Sequence, residues 1–338
     1  MKSTLIVTFC LLLLTACASP VVHPFLPRTE RAKLTDDVYV AGDGAKLALR
    51  SWVPRRKAEA VIVALHGFND YSKAFDGAGE FFRAQGIATY AYDQRGFGAN
   101  EEGVGIWGGI DNLTADVAQL VELLKDKHPN TPIYLLGESM GGAVVINTMV
   151  QEDVPEVDGI ILSAPAVWGD ETMNGFYRMT LWLLAHTMPS EALTGEDLDI
   201  VASDNWQMLM DMAYDPLVIK KTRIDAIYGI VGLMDEAYQN IDKVQVPTLF
   251  LYGANDQIIP RPPVAQALEK LEAPYTLAYY PDGYHMLLRD LKGEMVLFDI
   301  TSWIDNRYTP LPSGYDMGWR EEFAALFKAI SEQKKQQN

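Results

Sequence analysis

Along most of this chain, short unbroken apolar runs alternate with longer stretches in which apolar residues return every three or four positions. The runs lie at residues 61–65, 87–92, 133–136, 160–162, 248–252 and 276–280. Apolar runs without polar alternation suit strands buried on both faces. Between them, 75–85 has helical spacing, and 113–127 places Leu113, Val117, Leu120, Val121 and Leu124 on one helical face. Ahead of them, 38–40 and 47–52 flank Gly42-Asp43-Gly44, whose glycines allow the positive φ of a hairpin turn. Buried strands interleaved with amphipathic helices predict an α/β architecture: a mostly parallel sheet flanked by helices.

One stretch breaks the rhythm. From 167 to 245 the strand-like runs lapse and Trp, Met, Tyr and Asp become frequent, at helical spacing and with no obvious strand. The pattern predicts a helical cap at 167–245, inserted into a core formed by 37–166 and 246–305. Residues 306–338 form a C-terminal extension, in which Trp319, Phe323, Phe327 and Ile330 fall at helical spacing. Packing against the chain's own domain is the favoured account of that stripe, with a membrane or partner contact as the alternative.

The first residues belong to a different kind of segment. Lys2 precedes a ten-residue apolar stretch at 5–14, too short to span a bilayer, which takes ~20 residues in helical form. It reads as an export signal. Leu14-Thr15-Ala16-Cys17 follows and resembles the lipobox of bacterial lipoproteins. The resemblance implies a signal peptide at 1–16, lipid attachment at Cys17, and a membrane held through that anchor. Ala18 and Ser19 lack the aspartate that retains many lipoproteins at the inner membrane, so by analogy the address is the outer membrane, facing the periplasm. An ordinary secretory signal with an incidental Cys17 is the competing reading. The other cysteine, Cys10, lies inside the signal, so a mature chain would have no thiol for Cys17 to pair with. Residues 17–36, with Pro20, Pro24 and Pro27, read as an extended tether.

Composition narrows the partners. With 49% apolar and 22% charged residues over 338 positions, the chain is globular rather than disordered. A formal charge of −17 argues against nucleic acid, whose phosphates need clustered Lys and Arg.

The chemistry concentrates where strands end. Gly137-Glu138-Ser139-Met140-Gly141 fits G-x-S-x-G, follows the apolar run at 133–136, and precedes a helix-like stretch at 142–150. That strand-to-helix context is what a nucleophile elbow requires, and side chains beside Ser139 would block so sharp a turn. A serine hydroxyl needs a base to take its proton. Of five histidines, His23 lies in the tether, His128 at a helix end and His186 in the insertion, while His66 precedes Gly67 in a position suited to ordering backbone. His285, in Asp282-Gly283-Tyr284-His285 after the last apolar run, is the candidate base. Asp256, after the run at 248–252, is the carboxylate that fixes its tautomer. Asp93 in Asp93-Gln94-Arg95-Gly96 reads as a loop organiser instead. The backbone N–H groups of Met140 and Phe68 are the candidate oxyanion donors.

Together, Leu65-His66-Gly67-Phe68, Tyr92-Asp93-Gln94-Arg95-Gly96-Phe97-Gly98, the Ser139 elbow, the loop at 253–260 and Gly283-Tyr284-His285 resemble the monoacylglycerol lipase and lysophospholipase branch of the α/β-hydrolases. The resemblance spans about 37–305. It implies a serine hydrolase that cleaves carboxylic esters, such as monoacylglycerol or lysophospholipid, with no metal or organic cofactor. Where that branch often has glycine and glutamate after the oxyanion loop, this chain has Asn69-Asp70-Tyr71. Trp168 and Trp182, among the large apolar residues of the cap, are the candidates for an acyl pocket. Two other readings stand beside this one. An aminopeptidase of the same fold would use Glu196, Asp197, Asp199 and Asp204 to hold a substrate ammonium, and a catalytically silent binding lipoprotein would use none of the triad.

Overall fold

A computed structural model describes residues 18–168, 173–195 and 199–317, together with positions 323, 327 and 328. Its sheet opens with three antiparallel strands, β1 (Lys33–Leu34), β2 (Val38–Val40) and β3 (Lys46–Trp52), the last two joined by the predicted hairpin with Gly44 at φ 90°. The apolar runs become β4 (Ala60–Leu65), β5 (Ile87–Tyr92), β6 (Ile133–Glu138) and β7 (Gly159–Ser163). After the insertion, which holds the ribbon strands β8 (Ala192–Thr194) and β9 (Lys221–Arg223), come β10 (Thr248–Gly253) and β11 (Tyr275–Tyr280). The sheet order is β1-β2-β3-β5-β4-β6-β7-β10-β11, parallel from β5 to β11.

The period of two along each strand divides the core into two layers. Val61, Val63 and Leu65 of β4 face one side and Ala60, Ile62 and Ala64 the other. The first side is covered by α2 (Ile110–Lys127) and α3 (Met140–Thr148), through Leu113, Val117, Leu120 and Ala143. The second is covered by α1 (Asp76–Ala84) and α8 (Gly293–Asn306), through Ala78, Phe82, Val296 and Ile300. Each fully buried Leu, Val or Phe contributes ~1.5–3 kcal/mol relative to exposure, so this double layer fixes the strand ends that carry the site.

The insertion carries α4 (Gly175–Ala185), α5 (Trp206–Tyr214) and α6 (Ile224–Asn240), and α7 (Arg261–Lys270) follows β10. It is not purely helical: β8 and β9 pair antiparallel over three residues each. All of β8 is exposed, so no apolar alternation marks it in the sequence.

The expected extended tether lies against the domain. Ala18 N–H donates to the His186 carbonyl (2.8 Å), Val21 N–H to Asp225 (3.2 Å) and His23 N–H to the Trp107 carbonyl (2.9 Å), with Val22 in a parallel bridge to Trp107. Arg28 reaches Asp116 at 2.9 Å and Gln119 at 2.9 Å. Pro20, Pro24 and Pro27 keep the segment extended, and it is strapped across α2 and the ends of α4 and α6. In the C-terminal extension, Phe323 is buried against Tyr252 and Tyr279, with Phe327 beside it, so this part of the stripe packs on its own domain. Trp319 and Ile330 lie outside the described residues, as does Cys17. No helix among the described residues is long and apolar enough to cross a membrane.

Candidate active site

Ser139 is the single residue between β6 and α3, with φ 54° and ψ −115°. Such a conformation costs a non-glycine residue ~1–3 kcal/mol and persists because its surroundings over-determine it. Its N–H donates to the Ser163 carbonyl (2.9 Å), and its own carbonyl accepts from Gly142, Ala143 and Ala166. The neighbouring glycines are sterically required. A Cβ on Gly137 would overlap Gly141, one on Gly141 would overlap the Leu65 carbonyl, and one on Gly142 would come within 2.7 Å of Pro165.

The candidate base and its carboxylate come together from separate loops. His285 Nδ1 lies 2.8 Å from Asp256 Oδ2, both side chains almost wholly buried. Asp256 Oδ1 accepts from the N–H groups of Ile258 (2.8 Å) and Ile259 (3.0 Å), which fixes the carboxylate plane. A Cβ on Gly253 would overlap the carbonyls of Gly283 and Tyr284, so glycine there lets the two loops meet. With Nδ1 directed at Asp256, Nε2 is left as the proton acceptor.

On the opposite wall, Gly67 lies against Ser139: a Cβ built on it would sit 3.4 Å from the Ser139 Cβ and 3.9 Å from its Oγ. Among the described residues, neither the Phe68 N–H nor the Met140 N–H donates to a protein acceptor. Met140 also opens α3, whose N-terminal end favours negative charge.

His66 and Asp93 shape this wall rather than react. His66 Nε2 accepts from the Gln94 N–H (2.9 Å), so its Nδ1 donates to the Gly67 carbonyl (2.8 Å). Burial lowers its pKa below the usual histidine value and keeps it neutral. Asp93 accepts from the N–H groups of Ser72 (2.9 Å) and Ala99 (2.7 Å), organising two loops.

Three groups that sequence reasoning passed over complete the site's frame. Arg289 donates to Asp70 (2.7 Å) and Glu138 (2.6 Å), linking three loops. Asp290 accepts from Ser203 (2.6 Å) and the Tyr284 N–H (2.8 Å); burial raises its pKa to about 6. Asp215, after α5, accepts from Tyr71 (2.7 Å) and Lys73 (2.8 Å). Burial pushes its carboxyl up, but Lys73, the Leu217 N–H and Tyr71 more than offset this and bring it to about 2. With Asn69 bonded to Thr222 (2.7 Å) and the Ile219 N–H bonded to the Asn69 carbonyl (2.9 Å), Asp215 latches the insertion to the oxyanion loop. Charged residues in otherwise apolar surroundings, Glu138 above all, were the available signal.

The two tryptophans are placed differently. Trp168 packs half-buried on the core, two residues after the Ala166 whose N–H binds the Ser139 carbonyl. Trp182 is half-exposed, stacks on His186, and lines a groove of about 900 Å³ with Pro20, Val22, Trp107 and Gly229. Its described ring contact is with His186 at the end of α4, and the Trp107 that shares the groove meets the Phe68 ring at 6.4 Å. Of the acidic group, Glu196 and Asp197 lie outside the described residues, Asp199 is exposed, and Asp204 accepts from the Leu291 N–H (2.8 Å).

The family described as serine aminopeptidase, S33, matches residues 56–292, and the chain belongs to it. The monoacylglycerol lipase of Mycolicibacterium smegmatis is 25% identical over 263 residues, covering 77% of this chain and 93% of the relative. The monoglyceride lipase of Mus musculus is 25% identical over 281 residues, covering 81% and 92%. A soluble variant of the Saccharomyces cerevisiae monoglyceride lipase, solved with a substrate analogue, superposes with a TM-score of 0.68 at 23% identity, over 85% of this chain and 99% of that one. The monoacylglycerol lipase of Paleococcus ferrophilus superposes at 0.62 with 21% identity, over 76% of this chain and 98% of that one. These likenesses establish the α/β-hydrolase fold, and the sequence relatives place the chain near the monoacylglycerol lipase branch.

Proposed function

From that family membership we propose a serine ester hydrolase acting on lipid esters of the monoacylglycerol or lysophospholipid kind, with Ser139 as nucleophile, His285 as base and Asp256 as its orienting carboxylate. The carrying observation is the buried His285–Asp256 pair at 2.8 Å, with Ser139 held at φ 54° on the elbow. In the reaction, Ser139 Oγ attacks the ester carbonyl carbon as His285 Nε2 takes its proton. The carbonyl oxygen becomes an oxyanion that the N–H groups of Phe68 and Met140 receive. Collapse breaks the ester C–O bond, and the His285 proton leaves with the alcohol. Water then attacks the acyl-enzyme, giving its proton to His285, and collapse returns Ser139 and releases the carboxylic acid.

We further propose that a lipid on Cys17 holds the protein at a membrane, the outer membrane facing the periplasm. The strap supports this reading: Ala18, the next residue, is bonded to His186 at the end of α4, and Phe176, Tyr177, Met179 and Leu183 of that helix are exposed. An anchor there would bring an apolar face of the cap to the bilayer, where lipid esters reside.

The test of the chemistry is Ser139→Ala, expected to fold and to lose ~10³ or more of the esterase turnover, together with mass-spectrometric mapping of a fluorophosphonate adduct to Ser139 in the wild type. Wild-type rates in the variant would sink the assignment. Aminoacyl amides assayed beside the esters decide the competing aminopeptidase reading, which the family description favours. Cell fractionation of wild type and Cys17→Ala tests the anchor; a wholly soluble wild type without lipid on Cys17 would refute it.

A further inference from the structure

We propose that Arg289 is a positioning residue that sets the His285 loop against the nucleophile elbow and the oxyanion loop. The proposal rests on the Ser139–His285–Asp256 reading and names a part of the machinery outside it. Arg289 Nη1 meets Asp70 Oδ2 at 2.7 Å and Nη2 meets Glu138 Oε1 at 2.6 Å. Asp70 follows Phe68 by two residues, Glu138 immediately precedes Ser139, and Arg289 follows His285 by four, so one planar group touches all three loops of the site.

The connection from Arg289 to His285 is stiff. The N–H groups of Arg289 and Asp290 both donate to the Met286 carbonyl (2.8 and 3.0 Å), closing the segment into a tight turn. Leu287 is buried within that turn, and Asp290 holds the Tyr284 N–H from the other side. The Arg289 carbonyl accepts from Asn205 (2.9 Å). A shift of the guanidinium must therefore move His285 with it.

The cluster is a poor device for stability alone. One cation faces two carboxylates, and Arg289 Nε and Glu138 Oε2 have no hydrogen-bond partner among the described residues. Buried ionic groups of this kind are often replaceable by apolar residues without loss, and their best-attested use is to fix register. A guanidinium suits that use, since its two terminal nitrogens reach carboxylates of two different segments in fixed directions, which an ammonium does not impose.

The experiment compares Arg289→Lys, Arg289→Met and the charge-neutral triple variant Asp70→Asn, Glu138→Gln, Arg289→Met, each checked for folding by circular dichroism, against wild type and Ser139→Ala. A misplacement of ~1 Å at a reacting group costs on the order of 10²-fold. Arg289→Met and the triple variant should lose about that much in kcat with KM changed less than about threefold, and Arg289→Lys should recover part of it. The fluorophosphonate labelling rate at Ser139 should fall in parallel, and the acidic limb of the kcat/KM profile should move, because the environment of His285 changes. A folded Arg289→Lys or triple variant with wild-type kcat and an unmoved profile would overturn the proposal. Failure of all three to fold would also overturn it, by making the cluster a folding element. If Ser139→Ala retains activity, the triad reading itself is at fault; if it is inactive while the Arg289 variants behave as wild type, only the positioning role falls.

Discussion

The segment from β6 through α3 and the outer helices of the insertion, α4 and α5, are built on opposite terms. Every residue from 133 to 148 is buried, and Ser139 sits in the middle of that run. In the insertion, α4 buries Ala185 alone and α5 buries no residue, while Phe176, Tyr177, Trp206 and Tyr214 are each more than 60% exposed. Of the insertion, α6 is packed into the core through Ile230, Leu233, Met234 and Ala237, whereas polar contacts through Asp215, Asn69 and the N-terminal strap hold the margins of the rest. Close packing holds Ser139 in one strained geometry, whereas an apolar surface held by hydrogen bonds at its margins can change its cover without disturbing that geometry.

The hardest test of this contrast is one substitution on each side of it. Gly141→Ala would drive a Cβ into the Leu65 carbonyl, a backbone atom of a central strand that cannot turn aside. The expected loss is ~4 kcal/mol or more, or failure to fold, read by urea denaturation. Leu183→Ser on exposed α4 should stay within ~0.5 kcal/mol of wild type. Comparable losses from the two would mean that α4 is as tightly packed as the elbow.

Two carboxylates sharpen the comparison through pH, with opposite signs. Asp290, raised to about 6 by burial, binds its proton more tightly in the fold than in the unfolded chain. Its contribution therefore declines as pH rises from about 4 through 6, by ~3 kcal/mol for a shift of this size. Asp290→Asn, which can keep both hydrogen bonds, should gain on wild type by that order between pH 4 and 7. Asp215, brought to about 2, contributes stability above pH 4 that is lost as pH falls through 2. Asp215→Asn should cost ~1 kcal/mol at pH 7, a figure discounted because Lys73 is half-exposed, and the gap should close toward pH 2. Parallel pH trends for the two variants would show that one of the two environments has been misassigned.

What the chain disclosed in advance follows from how local each signal is. The strands of the sheet announce themselves by unbroken apolar runs, and the elbow by glycines within five residues of one another. Asp256 and His285 were legible because each follows a strand, even though 29 positions separate them. Arg289 was not, since its partners lie 151 and 219 positions away and nothing beside it marks the pairing. Glu138 could have raised the question, because a carboxylate inside an apolar strand end must find a cation. The strap shows a similar limit: its prolines declare an extended backbone but not the surface it lies on. The β8–β9 ribbon is too short and too exposed to carry a period.

The smallest expected effects separate the two tryptophans that sequence alone could not. Trp168 follows the Ala166 contact with Ser139, whereas Trp182 stacks on His186 in the groove beside the strap. If an acyl chain lies along the core beside Ser139, each buried methylene adds up to ~0.8 kcal/mol of transition-state binding, about fourfold in kcat/KM. A series of monomer-dispersed esters from acetyl to dodecanoyl should then rise in kcat/KM until the pocket is full. Trp168→Gln should flatten that rise, losing about tenfold on the longer esters and little on acetyl, because it removes apolar wall and leaves the triad untouched. Trp182→Gln should leave both slope and plateau within about twofold on dispersed substrates, its groove being formed with α6 and the strap. Equal losses from the two variants would place the acyl chain across the insertion rather than along the core, and a flat wild-type profile would remove the acyl pocket altogether and turn attention to small esters or amides.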